Sequence, residues 1–127
     1  MAEQERFYLC TICGNLAGTI HFSGVPMVCC GKPMEKLIPN TVDASAEKHV
    51  PVFNVSDNII EVKIGSEPHP MIKEHFIEWI YVETKQGGQR KILLPENKPE
   101  AKFSLFEDEL VSVYAYCNIH GLWKASI

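Results

Sequence analysis

From His49 to the end of the chain, apolar and β-branched residues come in short runs separated by turn residues. Val52-Phe53-Asn54-Val55 leads into a turn at Ser56-Asp57-Asn58, and Ile59 to Ile64 follows and stops at Gly65. Further runs are His75 to Thr84, Arg90 to Leu94, Lys102 to Phe106, Val111 to Tyr116 and Leu122 to Ile127. A turn over 85–89 with Gly87 and Gly88 joins the first two, and Pro95 stops the second. About seven short strands with no helix of even ~10 residues predict an all-β fold, an antiparallel sandwich of immunoglobulin-like type over 47–127. Residues 1–36 form a separate small module, and 37–46, with Pro39, Asn40, Asp43 and Ser45 in no clear period, a linker.

Composition narrows the partners. The 127 residues are 46% hydrophobic and 22% charged, as in a globular protein, with net charge −4. That balance argues against nucleic acid and anionic membrane surfaces as main partners. The stretch Met1 to Arg6 has no basic or apolar signal region, and the longest apolar stretch, around Phe76 to Val82, is broken by Glu78, so a cytoplasmic protein is expected. In a reducing compartment five cysteines, four of them within the first 30 residues, point to metal ligands before disulfides.

The first module holds Cys10-Thr11-Ile12-Cys13-Gly14 and, with fifteen residues between Cys13 and Cys29, Cys29-Cys30-Gly31. A unit this small buries too little apolar surface to stand alone. Two cysteine pairs, each closed by a glycine whose turn can aim amides at sulfur, resemble a four-thiolate ribbon. A zinc ribbon would space the second pair by two residues, whereas Cys29 and Cys30 are adjacent. The predicted site is therefore distorted, and spacing favours iron over zinc. The alternative is a Cys29–Cys30 vicinal disulfide beside a free Cys10/Cys13 pair.

Cys117 stands far from this set, in Cys117-Asn118-Ile119-His120-Gly121, a turn that places a thiolate and an imidazole three residues apart. His49 lies where linker meets strand, His69 is held between Pro68 and Pro70, and His75 opens the next strand. All lie at strand ends or loops, where a rigid sandwich presents functional groups along one edge. His21, beside Phe22 in the small module, fits no such pattern and is assigned a structural or surface role. Four imidazoles and one thiolate exceed the four ligands zinc normally takes and suit iron with a sixth position open. Ferrous iron with neutral histidines and one thiolate carries a local charge of +1, which attracts a small anion.

These motifs, with Glu47-Lys48-His49-Val50-Pro51 and His69-Pro70-Met71, resemble in their order the desulfoferrodoxins, two-iron superoxide reductases, across essentially the whole chain. The resemblance implies a desulforedoxin-like amino-terminal domain in which Cys10, Cys13, Cys29 and Cys30 bind one iron. It implies a second iron with His49, His69, His75 and His120 equatorial and Cys117 axial, so two iron ions per chain. The implied activity is one-electron reduction of superoxide to hydrogen peroxide, fed by rubredoxin or a similar donor, in a homodimer. Lys48, next to a ligand, is expected to draw in superoxide and help deliver a proton, and Glu47 to cap the open position of the ferric state. The rival readings are a zinc ribbon fused to a binding sandwich, and an electron carrier whose two irons are both closed.

Overall fold

The computed structural model describes residues 7–127, so the first six residues of the amino-terminal module lie outside the described residues. The chain divides into two compact units with the break between Ile38 and Pro39.

In the first unit β1 (Phe7–Leu9), β2 (Leu16–Gly18) and β5 (Glu35–Lys36) form a three-stranded antiparallel sheet with β1 central. A separate hairpin pairs β3 (Val28–Cys29) with β4 (Lys32–Pro33). Strands this short carry no period for a sequence reading to detect. Only Phe7, Tyr8 and Cys10 are buried among this unit's described residues, and Tyr8 stacks on Phe22 at 5.7 Å. So small a core leaves the unit dependent on whatever its cysteines hold.

The second unit is a sandwich of seven strands. β6 (Pro51–Ser56), β7 (Ile59–Ile64) and β10 (Glu100–Ser104) form one sheet in the order β10-β7-β6. β8 (Ile77–Thr84), β9 (Gly87–Ile92), β11 (Leu110–Cys117) and β12 (Gly121–Ser126) form the other, in the order β12-β11-β8-β9. All neighbouring pairs are antiparallel. Every second residue enters the core: Ile60, Val62 and Ile64 from β7, and Val113, Ala115 and Cys117 from β11. On β8 the phase slips, because Tyr116 pairs with Trp79 but Cys117 with Ile77, leaving Glu78 as an extra residue. Ile77 and Ile80 therefore both reach the core although three positions apart. Cys117 ends the inward row of β11 and is fully buried.

Three local features differ from the sequence reading. The β8–β9 turn is only Lys85-Gln86, since Gly87 already pairs with Thr84. Gly88 pairs with Glu83 as a strand residue, and a Cβ there would run into the Tyr81 hydroxyl, so its glycine serves a close approach rather than a turn. β8 begins at Ile77, while His75 makes an isolated bridge with Ile72. Residues Ala46–His49 form a one-turn helix, α1, whose N-cap Ser45 makes no side-chain cap bond. Ahead of it Asn40, at φ 63°, pairs with the free edge of β12. Its N–H donates to Leu122 O at 3.0 Å, Nδ2 donates to Lys124 O at 3.0 Å, and Oδ1 accepts Lys124 N–H at 2.8 Å.

Candidate metal centres

The sulfurs of Cys10, Cys13, Cys29 and Cys30 all lie within 4.8 Å of one another, and all four cysteines are free. Adjacency of the second pair is accommodated by the β3–β4 hairpin. Cys29 ends a strand, and Cys30 and Gly31 are its two loop residues, at φ 54° and 72°, the signs of a type I′ turn. Cys30 thus turns its sulfur back to 4.0 Å from that of Cys29, which sits 3.6 Å from Cys13 Sγ. The first pair is a knuckle in which the Cys13 N–H points at Cys10 Sγ, 3.5 Å away, and Gly14 N–H donates to Cys10 O at 2.9 Å.

The Cys13 amide is the main reason the Cys10 thiol is lowered to about 6. Its neighbours, the Cys13 thiol first, push Cys30 up to about 12 and raise Cys29 as well. The pocket accommodates one negative charge easily and further ones only beside a cation. Four thiols so placed fit a thiolate-bound metal.

At the edge of the sandwich five donors converge. His49 closes α1, His69 sits in the loop after β7, His75 precedes β8, Cys117 ends β11 and His120 lies in the turn to β12. The four rings form a square: centroids of successive rings are 4.6 Å (His49–His69), 4.7 Å (His69–His75), 5.0 Å (His75–His120) and 4.8 Å (His120–His49) apart. Each pair is nearly perpendicular, and the His49–His75 diagonal is longer, 6.2 Å. Nitrogen or sulfur atoms of His49, His69, His75 and Cys117 lie within 4.8 Å of one another. His120 joins them through Nδ1, 3.0 Å from His49 Nε2 and 4.0 Å from Cys117 Sγ.

The surrounding hydrogen bonds decide which nitrogens face inward. His49 Nδ1 donates to Ser45 O and His69 Nδ1 donates to Pro70 O, each at 2.6 Å. Burial, the main cause, holds His69 down at about 4 and His49 below its ordinary value, so both rings stay neutral near neutral pH. Their Nε2 atoms then carry no hydrogen, yet they face each other at 3.2 Å. Two lone pairs at that distance repel unless a cation lies between them. His75 Nε2 is likewise buried with no partner. Cys117 is raised first by burial and opposed by backbone N–H groups, with His120 N 3.4 Å from its sulfur. Four imidazole nitrogens and one such sulfur fit a metal that takes nitrogen and sulfur ligands.

The sequence matches the family described as Desulfoferrodoxin over residues 41–126 and Desulfoferrodoxin, N-terminal domain, over residues 2–37. The chain belongs to the desulfoferrodoxin family. A desulfoferrodoxin of Syntrophotalea carbinolica is 47% identical over 125 residues, covering 98% of both chains. A superoxide reductase of Pyrococcus horikoshii is 38% identical over 103 residues, 67% of this chain and 90% of that one. Among solved structures, superoxide reductase from Treponema pallidum matches with a TM-score of 0.82 and 33% identity, over 98% of this chain and 100% of that one. The four-cysteine and His4Cys clusters agree with the two iron centres of a desulfoferrodoxin.

All nine predicted donors are thus gathered into these two clusters, while His21 lies exposed in the first unit. Glu47 and Lys48 are exposed on α1 beside His49. Two contributors have no motif signal. Trp123 stacks on His49 at 4.8 Å and donates its Nε1–H to His120 O at 3.1 Å. Gly65, at φ 85°, lies where a Cβ would run into Glu67 O and meet Glu47 O and the Lys48 carbonyl carbon, each at 2.7 Å. Its missing side chain lets α1 lie against the loop that carries His69.

A Gly65→Ala variant should accordingly lose about 2 kcal/mol or more of stability and release metal from the His4Cys cluster, with the four-cysteine centre retained. Thermal unfolding and iron content would check this. For His69 the unfolded chain takes up a proton near 6.5 and the folded metal-free protein only near 4. The unfolded state binds more protons across that window, so stability falls as pH is lowered through it. The urea midpoint of metal-free protein should be lower at about pH 5 than at about pH 7, and the difference should shrink in His69→Leu.

Proposed function

We propose that this chain is a superoxide reductase that reduces superoxide to hydrogen peroxide at the His4Cys site. The observation that carries the reading is the square of four imidazoles with the buried Cys117 sulfur beside it, an array of five donors among the described residues. The superoxide reductases of Pyrococcus horikoshii and Treponema pallidum, similar over most or all of their own lengths, support it. His49, His69, His75, His120 and Cys117 would hold ferrous iron there, which would supply the single electron that, with two protons, converts superoxide to hydrogen peroxide.

The remaining work falls to the chain. Cys117, held in the core with backbone N–H groups toward its sulfur, supplies electron density from a fixed direction. Lys48 projects from α1, and its positive charge adds to burial, the main cause, in lowering the basicity of His49 and His75. The same charge attracts superoxide and hands a proton to it through water. Glu47 is held below its ordinary value, first by its own backbone N–H, so it is ionised and would serve as an oxygen ligand to the oxidised metal. Electrons come from an external donor such as rubredoxin. We assign a desulforedoxin-like iron domain to 1–36, a linker to 37–46 and the catalytic sandwich to 47–127. A homodimer is in keeping with the thin core of the first unit. Free cysteines throughout are in keeping with a cytoplasmic protein.

Protein purified without added metal should contain about two irons per chain and react with superoxide in pulse radiolysis. A zinc-loaded product, or iron that leaves superoxide untouched, would refute the reading. Lys48→Ile should slow the bimolecular step roughly tenfold and flatten its ionic-strength dependence. An unchanged rate would remove Lys48 from the mechanism.

A further inference from the structure

The Cys117–Gly121 turn contains a polar residue that donates nothing to the cluster, Asn118. β8 and β11 pair as far as Ile77 and Cys117, and Asn118 extends the ladder by one backbone bond, its N–H donating to Phe76 O at 3.2 Å. Its side chain then reaches both flanks of His75. Oδ1 accepts the Phe76 N–H at 2.9 Å, and Nδ2 donates to Glu74 O at 3.0 Å. One residue of the thiolate-bearing turn thereby grips the chain immediately before and after an imidazole donor.

His75 has particular need of this grip. The rings of His49 and His69 are each oriented by their own Nδ1 bond to a carbonyl. His120 is held through its backbone, by its N–H on Cys117 Sγ and by Trp123 on its carbonyl. Among the described residues no hydrogen bond orients the His75 ring, whose Nε2 is buried without a partner. Its backbone otherwise has only the reciprocal pair with Ile72, at 3.0 and 3.1 Å. The chemistry also selects asparagine. One side chain must accept an N–H and donate to a carbonyl at the same reach, which a primary amide does and a carboxylate does not.

We propose that Asn118 is the positioning residue for His75, setting that imidazole relative to the Cys117 sulfur so that one side chain couples two donors of the cluster. The proposal rests on the reading of the His4Cys cluster as an iron site. Asn118 touches neither substrate nor metal in this role.

The test uses the full-length iron-loaded protein, with chelator competition for the sandwich iron and the energy of its thiolate-to-iron absorption band as readouts. Asn118→Ala should weaken iron retention in the sandwich about tenfold or more and shift the band, while the four-cysteine centre keeps its spectrum. Asn118→Asp, which keeps the bond to Phe76 and loses the one to Glu74, should fall between parent and Asn118→Ala. It carries the same comparison if the alanine variant does not fold. In a His75→Ala background Asn118→Ala should add nothing, because its route to the metal is gone. Parental retention and band in both Asn118 variants would overturn the proposal, as would additive effects in the double variant. Absence of the band from the parent would overturn the functional reading along with this one, whereas its presence in the parent and unchanged energy in the variants would overturn this one alone.

Discussion

Two unprotonated imidazole nitrogens facing each other at 3.2 Å are the constraint around which the sandwich edge is arranged. The carbonyls of Ser45 and Pro70 take the only ring protons that neutral His49 and His69 have, and burial keeps both rings neutral. The lone pairs left over point at each other, with His120 Nδ1 a further 3.0 Å from that of His49. A cation would relieve this repulsion, and the orphaned Nε2 of His75, Nδ1 of His120 and the buried sulfur of Cys117 offer it further donors. The same logic operates in the amino-terminal unit, where crowded thiols raise Cys29 and Cys30. In both places the protein is built at the cost of repulsion that metal removes.

Placing five donors from α1, the β7–β8 connection and the β11–β12 turn on one point needs a rigid frame. The inward row of β11 runs Val113, Ala115, Cys117, so the sulfur emerges where the core ends. The slip at Glu78 keeps Ile77 in that core opposite Cys117 and lets β8 arrive in register with the His75 loop. Gly65 lets α1 close against the loop of His69, and Trp123 forms a wall under His49. Each is a packing decision with a chemical consequence, because a ring displaced by a fraction of an ångström is a weaker ligand.

Much of this was legible in the sequence. Donor residues carry chemistry in their identity, so Cys10, Cys13, Cys29, Cys30, Cys117 and four histidines stood out with their turn and proline contexts. Seven sandwich strands were visible because runs such as Ile59 to Ile64 are bounded by turn residues. What escaped notice depends on contacts distant in sequence. Paired with Gly87 in the sequence, Gly88 reads as a turn residue, and only the Tyr81 ring crossing it explains a glycine at a strand position. The one-turn helix that carries Glu47, Lys48 and His49 has no side-chain cap bond to announce it and is held by tertiary contacts such as Glu67 N–H on Glu47 O, 2.9 Å. Asn118 looked like an ordinary turn asparagine until its partners, more than forty positions earlier, came into view.

The central claim is that four imidazoles and one thiolate bind a single iron at the edge of the sandwich. Iron K-edge absorption of a Cys13→Ser variant, in which the four-thiolate set is broken, tests it most directly. The account predicts an iron shell of four nitrogens and one sulfur. A shell without sulfur, or with sulfur alone, would contradict it.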